Sequence, residues 1–406
     1  MIRHFFKLAW NRRRANGFIL AELLLCFLTL GAVLTIACFF LHNWRQPLGF
    51  EYRNVWRLDL SGGNRFEDSD DGQKAQGWAR VDQILRLLRS RDEIESVSPL
   101  YFNVPFGASS MLTANLVGGT QRRVLDNRVG PEAREVLGLR LVAGRWLEPG
   151  DEALAFRPVV LSRSYAHALF GDADPIGKTL VVRNEDGKID KEEERRVVGV
   201  VEAWRQYGEL SHAPLAQFSL PAWGPPHLPP GNFVLKIRPG VSPAFEEDLV
   251  RAVRRIAPDW TVSVSSLARH RDRLLRDRLL PLLIMATVAG FLILMVGLGL
   301  TGVLWQSITR RTQEIGLRRA LGATPGQIRW QILGELLALA ALAAGAGSLI
   351  ILQAPLLGIF DEVPLQVYLF ALTLAALSLS LLVVGCGLYP SWLATRIRPA
   401  HALQYE

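Results

Sequence analysis

Four long apolar stretches punctuate the chain, at 17–41, 279–305, 332–352 and 364–389, and each is long enough to cross a bilayer as a helix. The first and third contain one acid each, Glu22 and Glu335, and the other two contain none. The long polar segment, 42–278, lies between the first pair of spans and has the patterning of a folded domain. Within it, 55–60 alternates as a strand. Residues 73–91 place Trp78, Val81, Ile84, Leu85 and Leu88 on one helical face, and 94–100 forms the next strand. The order recurs near the end of the segment, with a strand at 233–237, a helix at 242–256 and a strand at 261–264. Two such β-α-β units meeting in space make a split, ferredoxin-like sheet. The intervening 101–225 carries short β-like runs (159–161, 179–182, 196–201) broken by Gly, Pro and charge, and reads as an inserted β-rich lobe. The predicted fold is an α-helical membrane protein with four transmembrane helices and a large α+β extracytoplasmic domain.

Charge orients this arrangement. The 406 residues carry a net charge of +8, and the excess is local. Segments 1–16, 306–331 and 390–406 hold 12 basic residues against Glu314 and Glu406, whereas 42–278 is nearly balanced. Basic short segments on one face follow the positive-inside rule, which puts both termini and the 306–331 loop in the bacterial cytoplasm and removes the need for a nucleic-acid partner. Residues 1–16 read as an amphipathic arm on membrane lipid, with Phe5, Phe6, Leu8 and Trp10 at the interface. The first apolar run is too long for a cleaved signal peptide and reads as a signal anchor. One cluster runs against the rule: Arg269, Arg271, Arg273, Arg276 and Arg278 crowd the outer end of the second span, as on a solvated helical stalk. Cys26, Cys38 and Cys386 all fall in spans, so the outer domain folds without disulfides.

The 306–331 loop has structure of its own. Arg310 and Arg318 each stand four residues from Glu314, so one helical face carries all three, with Ile308, Ile315 and Leu321 as an apolar counter-face. Gly322 permits a sharp exit. Thr324, Pro325 and Gln327 then supply a capping hydroxyl, a proline at the first helical position and a glutamine three residues past the cap. The spacing predicts a helix, a bend and a second helix at the membrane surface.

The run at 310–328, RRTQEIGLRRALGATPGQI, resembles the signature after the second membrane helix of MacB/FtsX-like ABC transporter permeases, roughly R-T-x-E-I-G-x-R-x-A-x-G-A. The C-terminal PAHALQYE at 399–406 is similar to that family's closing P-x-x-A-L-x-Y-E. Charge asymmetry alone explains the arginines but not the spacing of Glu314, Gly316, Gly322 and Thr324. The resemblance implies an ATPase-coupling element made of Arg310, Arg311, Glu314, Ile315, Gly316, Arg318, Arg319, Gly322, Ala323, Thr324 and Pro325. It also implies a separate cytoplasmic ABC ATPase that binds ATP and Mg, and a second permease, identical or related. In a cell with two membranes it implies a periplasmic adaptor and an outer-membrane duct. The implied function is mechanotransmission for efflux of a peptide, antibiotic or other amphipathic compound. Lipoprotein release and control of a wall hydrolase are alternatives within the superfamily. A membrane-anchored sensor or scaffold is the alternative of another class.

No enzyme constellation emerges. The seven histidines have no metal-ligand spacing, and no cysteine is placed as an exported nucleophile. The GDADPIGKT run at 171–179 is close to a phosphate-binding loop, but Asp172 stands where that motif needs glycine, and Asp172 and Asp174 repel phosphates. It matches instead a turn of the same permease family. The acidic run from Asp186 to Glu194 lacks the spacing of a calcium loop and reads as a solvated hairpin tip. The chain is thus expected to be a non-catalytic transmembrane subunit with no cofactor of its own. Glu22 and Glu335 read as interfacial acids near helix starts.

Overall fold

A computed structural model describes residues 13–61, 70–107, 111–117, 120–183, 194–225, 227–310, 317–318, 320 through 359 and 362–394. The chain divides into two compact units, 43–277 on one side and the remaining residues on the other.

The unit 43–277 is built on eleven strands: β1 (Val55–Ser61), β2 (Ile94–Tyr101), β3 (Leu112–Val117), β4 (Thr120–Val129), β5 (Leu141–Gly144), β6 (Arg157–Ser162), β7 (Thr179–Arg183), β8 (Arg195–Val201), β9 (Ala216–Ser219), β10 (Asn232–Ile237) and β11 (Thr261–Ser266). β1 and β2 flank the Asp71–Arg89 helix, and β10 and β11 flank the Ala244–Ile256 helix. The four strands pair in the order β11-β1-β10-β2, all antiparallel, which is the expected split β-α-β arrangement. Its alternation is physical: Trp56, Leu58 and Leu60 face the two helices, meeting Trp78, Val81, Ile84 and Leu88 from one and Phe245, Leu249 and Val253 from the other. Asp70 caps the first helix by accepting a hydrogen bond from the Gln73 N–H at 2.7 Å.

The 101–225 segment is not a detached sheet. β2 hands over to β4 through Leu100↔Val129 and Tyr101↔Arg128. From β4 the ladder runs β3-β7-β8-β6-β9, and β9 then returns to β4 in parallel, Leu125↔Ala216 through Arg128↔Ser219. Six strands therefore form a closed ring, with β5 on the outer edge of β8. Closure removes the open edges that an inserted sheet exposes. Neighbouring residues of one strand serve different cores: Val160 packs with Phe218 and Trp204, while Val159 and Leu161 pack with Tyr165 and Val197.

Turn chemistry holds the corners. Arg145 grips Asp151 through two parallel hydrogen bonds of 2.8 and 2.6 Å, and Asp151 also accepts from the Glu148 N–H at 2.9 Å. Gly49 adopts φ +90°, and a Cβ there would lie 2.1 Å from the Ala203 carbonyl oxygen, so only glycine allows the two segments to touch.

The other unit holds four apolar helices: Arg13–Trp44, Leu267–Arg310, Pro325–Ile351 and Leu365–Ala394, the first two running on into the 43–277 unit. Leu23 and Phe27 of the first, Val296 and Leu300 of the second, Leu339 and Ala343 of the third, and Ala375 and Leu379 of the fourth share one core. Small residues set the approach. A Cβ on Gly347 would lie 2.4 Å from the Phe27 ring, and one on Gly299 would lie 2.7 Å from a Glu22 carboxylate oxygen. The third helix begins at Pro325, earlier than the 332 start of the apolar run, because Thr324 caps it. Glu335 is therefore about three turns inside this helix, not in its first turn, and has no capping role. The fourth helix runs past Pro390 to Ala394.

These contacts have measurable consequences. Burial works to raise the Asp151 carboxyl, but the Arg145 hydrogen bonds and the Glu148 N–H outweigh it, and the net shift is downward. A depressed carboxylate stabilises the fold above its unfolded value near 3.9 and loses that contribution as pH falls through the folded value. Asp151→Asn should cost about 1–2 kcal/mol at pH 7, with the gap to wild type shrinking below about pH 4 in denaturant melts. Arg205 is fully buried and donates to the carbonyls of Asn43, Gln46, Glu209 and Ser211, so Arg205→Met, which keeps volume but strips those donors, should lower the melting temperature of the detergent-purified chain by roughly 6–12 °C.

Candidate functional site

The element with chemistry of its own in the membrane unit is the connection after the second long helix. That helix is described as far as Arg310. Arg311, Glu314, Ile315, Gly316 and Arg319 lie outside the described residues, as do the predicted pairs of Glu314 with Arg310 and Arg318. The bend itself is well defined. Leu317 and Arg318 are helical, and the Ala323 N–H returns to the Arg318 carbonyl at 3.0 Å. Gly322 stands inside this closure at φ +95°, a left-handed value that glycine adopts without cost. Thr324 then opens the next helix. Its Oγ1 accepts from the Gln327 N–H at 3.4 Å, the Gln327 Oε1 accepts from the Thr324 N–H at 3.0 Å, and Pro325 occupies the first turn. This is the reciprocal cap that the spacing predicts.

Arg318 does not stay in solvent. Its guanidinium donates to Gln331 Oε1 at 2.5 Å, which braces the bend against the new helix. Between them the bend presents Leu317, Leu321 and Trp330 to the outside, and Leu321 is 81% exposed. The corner is thus basic and braced, with three exposed apolar side chains.

The 171–179 turn has a different character. Gly171 and Gly177 take φ +60° and +78°, Asp174 accepts from the Ile176 N–H at 3.0 Å, and the Gly177 N–H donates to Val197 at 2.8 Å. Lys178 lies over the Phe170 ring at 4.6 Å rather than over a cradle of backbone N–H groups. It is a corner that feeds β7. Among the described residues no three His, Cys, Asp or Glu side chains gather as a metal site.

Sequence reasoning missed a second constellation. Arg205 is fully buried and donates to the carbonyls of Asn43 at 2.6 Å, Gln46 at 3.2 Å and Glu209 at 2.9 Å, and also to that of Ser211. Burial pulls its pKa below the ordinary arginine value, and the neighbouring Glu209 charge pulls it back. Glu209 in turn accepts from Arg271 Nε at 2.5 Å, and Arg271 lies over the rings of Tyr52 at 4.8 Å and Trp44 at 5.7 Å. Gly208, at φ +81°, packs so closely that a Cβ would lie 2.7 Å from Leu274. The cluster joins the residues just after the first apolar helix to the beginning of the second. Nothing periodic marks Arg205, because its partners are backbone carbonyls that any residue type supplies.

Comparison with known proteins agrees with this anatomy. Residues 46–253, just over half of the chain, match the family model for the MacB-like periplasmic core domain. Residues 286–399 match the FtsX-like permease C-terminal model. The chain is 28% identical over 235 residues to a macrolide export ATP-binding/permease protein MacB of Neisseria meningitidis, covering 55% of this chain and 33% of that protein. It is 25% identical over 369 residues to the MacB of Chlorobium luteolum, covering 86% of this chain and 53% of that one. It thus spans between a third and a little over half of the relatives it matches. The periplasmic region of MacB from Actinobacillus actinomycetemcomitans aligns with a TM-score of 0.39 at 19% identity, over 55% of this chain and 93% of that structure. On the two family models together, the chain belongs to the MacB-like ABC transporter permeases, with an FtsX-like membrane half and a MacB-like periplasmic core domain.

Proposed function

We propose that this permease transmits the work of a cytoplasmic ABC ATPase, lying outside these 406 residues, to the domain at 43–277. The observation that carries this reading is the braced bend at 317–331, where Gly322 turns the chain, Thr324 and Gln327 lock the next helix, and Leu317, Leu321 and Trp330 stay exposed. ATP and Mg belong to the ATPase in this reading. The chain itself supplies a docking corner and a long lever: the Leu267–Arg310 helix has 44 residues, about 66 Å at ideal rise, with Pro281 inside it. Docking energy comes from the apolar corner, and arginines at 310, 311, 318 and 319 give registry against an acidic groove.

The chain works as a pair of permeases in a bacterial inner membrane, with both termini and the 306–331 loop cytoplasmic and the 43–277 unit outside. The cargo is an amphipathic compound or peptide already on the outer side, handed to an adaptor and duct where a second membrane exists. The relatives named as macrolide exporters support this class of cargo. Lipoprotein release and hydrolase control use the same lever with another outer partner.

Two experiments test the reading. In intact spheroplasts a cysteine at Asp186 should be labelled by an impermeant maleimide, while one at Gln313 should label only after permeabilisation. Labelling of both from the same side removes the topology. Glu314→Ala removes only surface i,i+4 pairs, each worth about 0.3–0.5 kcal/mol, and should leave folding intact. Gly322→Pro forces φ near −65° onto a position that needs +95°. Both variants should insert at wild-type levels and lose stimulated ATP turnover and transport in proteoliposomes holding the ATPase, Gly322→Pro more severely. Wild-type behaviour of both variants would remove the bend from the mechanism.

A further inference from the structure

The five arginines at the start of the Leu267–Arg310 helix divide into two sets in the structure. Arg271 is drawn into the domain by Glu209 and the Tyr52 ring, and Arg269 is paired with Glu246. Arg273, Arg276 and Arg278 are exposed, and among the described residues none of the three forms an ion pair or a hydrogen bond.

Their position on the helix matters. Arg273 and Arg276 are three residues apart and share a face. Continued down the same helix, that face carries Leu280, Leu283, Ile284 and Phe291, all strongly exposed, Leu280 at 58% and Phe291 at 63%. The buried residues Ala289, Leu300 and Leu304 lie on the opposite side. Only 11% of the apolar window of this helix is buried within the chain, against 33–39% for the other three. The outward face is therefore an apolar stripe left uncovered within the chain, and two guanidiniums with no ion pair precede it on the same helix, with Pro281 between. Arg276 and Arg273 stand about 6 and 10 Å along the axis from Leu280, the depth of the headgroup layer beside the hydrocarbon core. Their aliphatic stems can lie along the stripe while the forks stay at phosphate level.

We propose that Arg273 and Arg276 form a binding site for the headgroup of an anionic phospholipid in the leaflet on the domain side. Two adjacent guanidiniums match the oxygens of a phosphodiester, and their charge favours a lipid with net negative charge over a zwitterionic one. Asp277 lies beside Arg273 on the helical wheel and weakens the preference. The site holds the lever helix at a fixed depth where it leaves the membrane. It requires only that the 279–305 stretch be in lipid, and is independent of the ATPase and of the cargo.

The test uses the full chain in phosphatidylcholine vesicles with spin-labelled lipid probes. The fraction of motionally restricted probe is compared for phosphatidylglycerol and phosphatidylcholine. The wild type should select phosphatidylglycerol, and Arg273→Gln with Arg276→Gln should lower that selectivity by about threefold or more. Arg273→Lys with Arg276→Lys should retain most of it, and Asp277→Asn should raise it. Arg254→Gln with Arg255→Gln, an equal charge change on the exposed face of the Ala244–Ile256 helix, should leave it unchanged. Undiminished selectivity in the Arg273/Arg276 glutamine variant, or an equal loss in the Arg254/Arg255 control, overturns the site while leaving the span in place. Absence of any restricted lipid around the wild type overturns the span as well.

Discussion

A buried guanidinium with no carboxylate in its hydrogen-bonding shell is the constraint around which the outer domain is arranged. Arg205 spends its donors on the carbonyls of Asn43, Gln46, Glu209 and Ser211. A charge taken out of water is costly unless protein dipoles solvate it, so these backbone segments are held where the two terminal nitrogens reach them, while Nε is buried without a partner. Around it, Phe50 and Phe218 pack on Trp204, Phe106 packs edge-on against Phe50, and Gly49 and Gly208 allow contacts that a Cβ would prevent. Glu209 links this shell to Arg271. The residues just past the first apolar helix and those that begin the second thus meet in one polar and aromatic knot.

The strand network has the same economy. A ferredoxin-like four-stranded sheet would leave β2 as an open edge, and an insertion of β strands would add two more. Pairing β2 with β4 and returning β9 to β4 removes these edges. Two buried amides on the closing strands are bonded across the closure. Gln217 donates to Asp126 at 3.0 Å, and Asn127 donates to the Gln217 carbonyl at 2.9 Å. The mixed character of β4, antiparallel to β2 and β3 but parallel to β9, comes from its position at the junction.

The long helix from Leu267 to Arg310 connects the two kinds of chemistry. Its first turns carry arginines partly absorbed by the 43–277 unit, its apolar stretch is mostly uncovered within the chain, and its far end precedes the braced corner. Pro281 lies inside it and has no N–H to give to the helix ladder.

Much of this is legible in the sequence, for identifiable reasons. Apolar runs of bilayer length fix the spans, because lipid satisfies no backbone polar group. The period at Trp78, Val81, Ile84, Leu85 and Leu88 fixes one domain helix, and the Thr324-Pro325-Gln327 cap fixes a helix start, since both depend on near neighbours in the chain. Tertiary structure decided the rest. The sequence reading assigns no strand to β3, β4, β5 or β9: the alternation in LTANLV is short, and TQRRVLDNRV is mostly polar, with pairing rather than pattern making it a strand. Ring closure through β4 and β9 joins residues about ninety positions apart, and no local signal encodes it. Arg205 carries no motif because its ligands are carbonyls. The division of the stalk arginines into paired and unpaired sets depends on where Glu209 and Glu246 arrive in space, which only folding determines.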